Sequence, residues 1–156
     1  MSDSLESQLY RATILTFEEL GFMLPSCELQ EKQKSAACDT TVAVGFHGSR
    51  RGKLILAVGR GILPRMVANM LGEDEKIFSL GLQHDALGEL ANVICGNVLP
   101  GVADEKATFH LDPPRLVEWK RPAGPAEGAA AEVHLGLEEG RADVYLFLDR
   151  EKEQRP

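Results

Sequence analysis

The sequence predicts a single α+β domain in which a mainly antiparallel sheet packs with about three helices. The length of 156 residues suits one domain with one hydrophobic core. Alternating apolar and polar residues mark strands that are joined by short polar turns, which is typical of antiparallel hairpins. Apolar residues at helical spacing mark three other segments. We assign residues 1–150 to this domain and expect residues 151–156, EKEQRP, to form a frayed tail.

The three helices are placed by apolar periodicity and by the residues that start and stop them. The first helix covers residues 4–20, and the third covers residues 83–102 or starts several residues earlier. The second helix starts near Pro64, which suits a first helical turn, and stops at Gly72.

The strands follow from alternation and from turn residues. Residues 53–58 are apolar on both faces of a strand, so we expect this strand at the centre of the sheet. We expect a loop or an irregular strand over residues 26–39 and a loop over residues 121–132, which are rich in Pro, Gly and Ala. The predicted strands are residues 41–46, 53–58, 108–111, 116–120, 133–137 and 143–148.

Composition excludes several classes of function. The net charge is -7, and we find no basic patch beyond the local pair Arg50 and Arg51, so a nucleic-acid partner is not expected. The N-terminal residues lack the pattern of a secretory signal, and no apolar run is long enough to span a membrane. We therefore expect a cytoplasmic protein without a membrane partner.

Cysteine and histidine usage argues against a disulfide framework or a metal centre. The cysteines are too few and too scattered for either, and the histidines are isolated in sequence. We expect no metal ion and no cofactor bound by this chain. The residues concerned are Cys27, Cys38, Cys95, His47, His84, His110 and His134.

The third helix carries the residues that point to chemistry. At about 100° per residue, the stripe of Leu87, Ala91, Ile94 and Val98 faces the core. The stripe on the opposite side of the helix consists of Asp85, Glu89, Asn92 and Gly96. Glu89 and Asn92 are one turn apart, so both side chains can act on one small target. For Asp85 alone, a helix cap or a first-turn acid is the favoured interpretation.

Two residues of this helix are poor choices for an exposed helix without a partner. Asn is a middling helix former, and a mid-helix Gly costs about 1 kcal/mol relative to Ala. Either a close partner backbone or tight packing within the fold would explain Gly96. Asn97 lies at the flank of the helix, where it could bond a neighbouring backbone.

The motif formed by these residues resembles a known family. The run E-L-A-N-V-I-C-G-N, which starts at Glu89, resembles the E-x2-N-x3-G-N helix of the CheC/CheX/FliY family of chemotaxis phosphatases. Asp85 and Pro114 complete the extended pattern D-x3-E-x2-N followed by a distal Pro. The single E-x2-N motif is similar to that of the CheX branch. Cys95 departs from the family pattern, and its position at the edge of the core stripe predicts a small buried hydrophobe.

The resemblance implies a specific activity. Members of the family remove the phosphoryl group from the aspartate of a CheY-type response regulator. By motif position, Asn92 would orient the attacking water and Glu89 would pair with the regulator's active-site lysine. Asp85 and Gly96 would contact the partner, while Asn97 and Pro114 would support the motif. The magnesium ion is expected in the regulator and not in this chain.

Two other interpretations remain open from the sequence. The chain could be a non-catalytic module that binds a signalling partner, because fold and function separate easily. An unrelated metal or cofactor enzyme has no support beyond scattered His and acidic residues. The resemblance also implies a homodimer that pairs through an edge strand of the sheet.

Overall fold

Six antiparallel strands form one sheet in the computed structural model of the chain, which describes residues 4–103, 106–138 and 140–149. The helices are α1 (Leu5–Glu19), α2 (Glu31–Lys34), α3 (Leu63–Leu71) and α4 (Leu80–Val98). The strands are β1 (Thr40–Gly48), β2 (Gly52–Val58), β3 (Phe109–Leu111), β4 (Arg115–Leu116), β5 (Ala131–Leu137) and β6 (Gly140–Leu148). The predicted α+β fold with a mainly antiparallel sheet is confirmed.

The strand order of the sheet is β3-β1-β2-β6-β5, and β4 also pairs with β1. β2 is thus central, as its apolar sequence predicts, and all of its residues from Leu54 to Val58 are buried. β1 and β2 form the first predicted hairpin, and β5 and β6 form the last.

The main core lies between the sheet and its helical layer, in which α1 packs against α4 and β5, and α4 packs against β1 and β2. Each fully buried Leu or Ile side chain stabilises this layer by about 1.5–3 kcal/mol. The predicted core stripe of α4 is entirely buried, and Cys95 is a buried hydrophobe beside it, as predicted. This burial fixes the rotation of α4 and therefore the direction of its outward stripe.

The opposite face of the sheet is covered by the chain that follows β4. Val117 and Trp119 pack there against Ile55 and Tyr145. The strand predicted over residues 116–120 is correct only at Leu116, because strand pairing stops at this residue. The backbone N–H of Val117 still donates to the Thr41 carbonyl. Beyond Val117 the chain packs against the face of the sheet through Trp119. Packing of the partly buried Val117 and Trp119 side chains replaces strand pairing as the stabilising interaction.

The segment over residues 26–39 also differs from its prediction as a loop or irregular strand. It contains the single helical turn α2. The backbone N–H of Gln30 donates to the Gln33 side chain at 2.8 Å, and the Gln33 amide donates to the Glu138 carbonyl at 2.8 Å. A local cap and a long-range hydrogen bond thus stabilise a turn for which no apolar periodicity exists.

The ends of the long helices agree with the sequence. α4 begins three residues before Gln83, where the Ser79 hydroxyl accepts a hydrogen bond from Leu82 N at 3.2 Å. It ends at Val98 in a short 3-10 turn, Leu99–Gly101. The tail predicted over residues 151–156 lies outside the described residues. No described helix is both long and apolar enough to cross a membrane.

Candidate functional site

The outward stripe of α4 presents an acid and an amide to solvent, one helical turn apart. Asp85, Glu89 and Gly96 are exposed, and Asn92 is partly exposed. Within residues 4–103, 106–138 and 140–149, the side chains of Asp85, Glu89 and Asn92 form no hydrogen bond or ion pair. Their polar atoms are available to another molecule, because the fold does not use them.

Three of these side chains share a surface depression with the segment around β4. The depression has a volume of about 450 Å³ and lies between α4 and β4, so we call it the α4–β4 depression. Its lining includes Asp85, Glu89 and Asn92 on one side and Pro114 and Arg115 on the other. The structure thus brings together the four positions of the extended motif, although Pro114 follows Asn92 by 22 residues.

A glycine that the sequence analysis did not single out sets the position of Pro114. A Cβ atom on Gly88 would lie 2.9 Å from Cβ of Pro114, closer than two carbon atoms approach without displacement. The absence of a side chain at this buried helix position lets the proline ring lie directly against α4. Its low helix propensity was the available signal, as it was for Gly96.

Gly96 and Asn97 do not line the α4–β4 depression. A Cβ atom on Gly96 would meet no atom within 4 Å, so packing among the described residues does not explain this glycine. Asn97 is exposed and lines a separate groove of about 890 Å³ between α1 and α4, together with Leu15 and Val93. No hydrogen bond from Asn97 to a neighbouring backbone occurs in the described structure.

The two mid-helix glycines should respond oppositely to the same substitution. Gly96→Ala should raise the free energy of unfolding by about 0.5–1 kcal/mol, because alanine is the better helix former and its Cβ is unobstructed. Gly88→Ala should lower it by about 1–3 kcal/mol, because the added methyl group overpacks the contact with Pro114. Urea unfolding of the two variants measures both changes, and equal shifts would contradict this account of Gly88.

A charged cluster on the other face of the sheet was missed by the sequence analysis. Asp143 of β6 is fully buried, and we call it and the polar side chains around it the Asp143 cluster. Arg141 donates to Asp143 Oδ1 from Nη2 at 2.8 Å and from Nε at 3.1 Å. His134 of β5 lies directly opposite Asp143 and bonds the same carboxylate oxygen through Nδ1. The cluster is completed by Cys38, Arg121 and Glu132.

The Asp143 cluster links the end of α2 and two loop segments to the sheet through hydrogen bonds. Arg141 Nη1 donates to the Lys34 carbonyl at 2.9 Å, and Arg121 Nη1 donates to the Ala36 carbonyl at 3.1 Å. Glu132 Oε2 accepts from the backbone N–H of Ala126 at 2.7 Å. Both faces of β6 are consequently buried, one by apolar packing and the other in part by this ionic network.

The hydrogen bonds of the Asp143 cluster favour the charged forms of Asp143 and His134. Burial alone raises the pKa of Asp143, but hydrogen bonds from His134, Arg141 and Cys38 outweigh it and lower the pKa below 3.8. The hydrogen bond to Asp143 raises the pKa of His134 above 6.5, against the opposing effect of burial. Burial and the nearby Asp143 raise the pKa of the Cys38 thiol to about 12, so this thiol is not an activated nucleophile.

The polar side chains that line the α4–β4 depression can position a water or a charged group of another molecule. An amide can donate and accept hydrogen bonds at once, and a free carboxylate can bind a cationic group. No serine, threonine or cysteine is among the described residues that line the depression. Among the described residues, no group of three or more His, Cys, Asp or Glu side chains is placed to hold a metal ion. The site suits a role in which another molecule supplies the reactive group.

Solved structures of chemotaxis proteins share this fold. CheX from Vibrio vulnificus is 17% identical, with a TM-score of 0.67 and coverage of 94% of this chain and 97% of that one. A CheX protein from Desulfovibrio desulfuricans is 18% identical, with a TM-score of 0.67 and coverage of 93% and 99%. The CheX-CheY-BeF3-Mg²⁺ complex from Borrelia burgdorferi matches with 16% identity, a TM-score of 0.62 and coverage of 92% and 97%.

Sequence comparison shows the family of this chain. No curated protein matches it significantly. A family model described as chemotaxis phosphatase CheX matches residues 40–135, which include β1, β2, α3, α4 and most of β5. This match covers more than half of the 156 residues. The chain therefore belongs to the CheX family of chemotaxis phosphatases.

Proposed function

We propose that this protein hydrolyses the phosphoryl-aspartate of a CheY-type response regulator. The observation that carries the proposal is the pair Glu89 and Asn92, which faces outward on α4 without a hydrogen bond or ion pair in the described structure. A protein that acts on a partner's phosphoryl group needs its catalytic side chains on an accessible surface, and this pair meets that requirement.

Asn92 is the proposed catalytic residue that orients the attacking water. Phosphoryl transfer depends mainly on positioning and on charge neutralisation, and an amide performs the same task in GTPases. An uncharged amide is suited to it, because it donates and accepts hydrogen bonds without adding negative charge beside the phosphoryl group. Orienting one water is worth roughly a hundredfold in rate, or about 2.7 kcal/mol.

Glu89 is the proposed partner of the regulator's active-site lysine. Its carboxylate lies one turn before Asn92 and lines the same α4–β4 depression. A charge-assisted hydrogen bond to an ammonium group would fix the register of α4 across the regulator's site. Loss of this bond should act mainly on binding, while Asn92 acts on the hydrolytic step.

Asp85 and Gly96 are proposed to extend the contact along α4. Asp85 is exposed and lines the depression, so it can bind a polar group of the regulator. Gly96, one turn beyond Asn92, has open space where its side chain would be, which lets a partner backbone approach the helix. Both residues therefore enlarge the docking surface without taking part in hydrolysis.

The magnesium ion is proposed to belong to the regulator. This assignment is supported by the Borrelia burgdorferi complex, which contains CheY, BeF3 and Mg²⁺ together with CheX. The BeF3 group stands in for a phosphoryl group. The regulator would thus supply the phosphoryl group, the metal ion and most of the electrostatics, and this chain would supply α4.

The test is an assay of phosphate release from a panel of CheY-type regulators of the same organism. Each regulator is phosphorylated with a small phosphodonor, and its decay is followed with and without this protein. We expect at least one regulator to lose phosphate about tenfold faster or more in its presence. If none does, the activity is wrong, and tight binding with an unchanged lifetime would instead support a non-catalytic binding module.

A further inference from the structure

Arg115 is the only arginine or lysine among the described residues that line the α4–β4 depression. Its backbone pairs with Ala43 of β1, and it directly follows Pro114, which lies against Gly88 of α4. The base of its side chain is thus fixed relative to α4 by strand pairing and by packing.

The guanidinium group of Arg115 has no partner within the described part of the chain. Arg115 is exposed and forms no hydrogen bond or ion pair there, although Asp85 and Glu89 line the same depression. By contrast, the exposed residues Arg60 and Arg65 each pair with a carboxylate, at 3.1 Å and 3.3 Å. The depression therefore offers separate positive and negative groups to a partner.

The proposed partner brings groups of negative charge to this surface. A protein site for Mg²⁺ is built from carboxylates, and the phosphoryl group adds further negative charge. This chain carries a net charge of -7, which opposes the approach of those negative groups. An arginine beside the motif offsets this repulsion locally, and its planar group matches a carboxylate in a bidentate arrangement.

We propose that Arg115 is a docking residue that binds a carboxylate on the regulator beside the phosphorylation site. This inference rests on the proposed function, because it takes the regulator as the partner. Arg115 lies across the depression from Glu89 and Asn92, so it would bind the regulator on the side of the site opposite α4. Its contribution is to affinity and register, and the hydrolytic step depends on Asn92.

Binding and turnover together test this role. The affinity of the regulator loaded with beryllofluoride and Mg²⁺ is measured by calorimetry for the wild type, for Arg115→Gln and for Arg51→Gln. Arg51 is an exposed arginine at the turn between β1 and β2, outside the lining of the depression, so its substitution removes the same charge elsewhere. Arg115→Gln should raise Kd about fivefold, equivalent to about 1 kcal/mol, leave kcat unchanged and weaken the dependence of Kd on salt. Arg51→Gln should leave both constants close to wild type.

Equal Kd values for the two variants would overturn the proposal, because only the overall charge would then matter. A fall in kcat with unchanged Kd would also overturn it, since Arg115 would then act on the phosphoryl group itself. A wild-type protein that binds the loaded regulator without accelerating hydrolysis would contradict the proposed function, while the comparison of Kd values would still decide the role of Arg115.

Discussion

Asn92→Ala should lower kcat for dephosphorylation of the regulator by about a hundredfold, with little change in the regulator concentration at half-maximal rate. In the proposed role this side chain contributes only where the water must be oriented, so its removal should act on the transition state and not on docking. Asn92→Asp should be impaired as strongly, because a carboxylate has the same size but repels the phosphoryl group. Single-turnover decay of the phosphorylated regulator measures both effects.

The fold offers a clear control for this experiment. Asn92 makes no hydrogen bond or ion pair in the described structure, and alanine is the better helix former, so Asn92→Ala should unfold at the same urea concentration as the wild type or a slightly higher one. Arg51→Gln, which alters an exposed side chain outside the α4–β4 depression, should keep the full rate. Full activity in Asn92→Ala with an intact fold would exclude the role assigned to this residue.

Asp143→Ala should lower the free energy of unfolding by about 3–5 kcal/mol. Asp143 is fully buried, and the substitution would leave the buried Arg141 guanidinium without its carboxylate partner. The two arginines that bond the Lys34 and Ala36 carbonyls, Arg141 and Arg121, would lose their carboxylate partner in the same step. For a domain of this size, the change corresponds to a drop of roughly 10 °C in Tm, which calorimetry resolves easily.

A matched control distinguishes the loss of a buried carboxylate from the loss of an exposed one. Glu73 forms an exposed ion pair with Lys76 at 3.7 Å, and both side chains are about half accessible to solvent. Glu73→Ala also removes one carboxylate, yet it should change stability by only about 0.5 kcal/mol or less, because exposed pairs are screened by water. Similar losses in the two variants would show that the Asp143 cluster is not the anchor described above.

The Asp143 cluster also predicts how stability depends on pH. The pKa of His134 is raised in the folded state. Its contribution to the free energy of unfolding is therefore complete below pH 6.5 and is lost as the pH rises through the folded pKa. The pKa of Asp143 is lowered in the folded state, so Asp143 affects stability at acidic pH. Its contribution to the free energy of unfolding is present above pH 3.8 and is lost as the pH falls through the folded pKa. Urea unfolding above pH 6.5 should show a decline in the wild type that His134→Gln lacks.

The sequence was sufficient to locate the outward face of α4, because helical periodicity ties each side chain to the buried stripe. Once Leu87, Ala91, Ile94 and Val98 are assigned to the core, the direction of Asp85, Glu89 and Asn92 follows from geometry. The structure adds what periodicity cannot contain, namely the approach of a residue that is distant in sequence. Pro114 reaches this face because Gly88 leaves space for its ring.

The sequence could not predict which residues cover the second face of the sheet, because these contacts too are long-range. Alternation in β6 marks Val144 and Leu146 as core, and it implies that Asp143 faces solvent. Asp143 is buried instead, because segments distant in sequence, which carry Cys38 and Arg121, cover that face of the strand. Long-range contacts of this kind leave no local pattern, so both the ionic cluster and the packing of Trp119 became visible only in the structure.

A structure of this protein bound to its regulator, loaded with beryllofluoride and Mg²⁺, tests the central claim most directly. We predict that α4 lies across the regulator's phosphorylation site. The Asn92 amide should lie within a hydrogen-bond distance of about 3 Å of a water aligned with the beryllium–aspartate bond, and Glu89 should contact the regulator's lysine. A complex in which α4 stays exposed to solvent, and the regulator binds another surface such as the groove between α1 and α4, would contradict the claim.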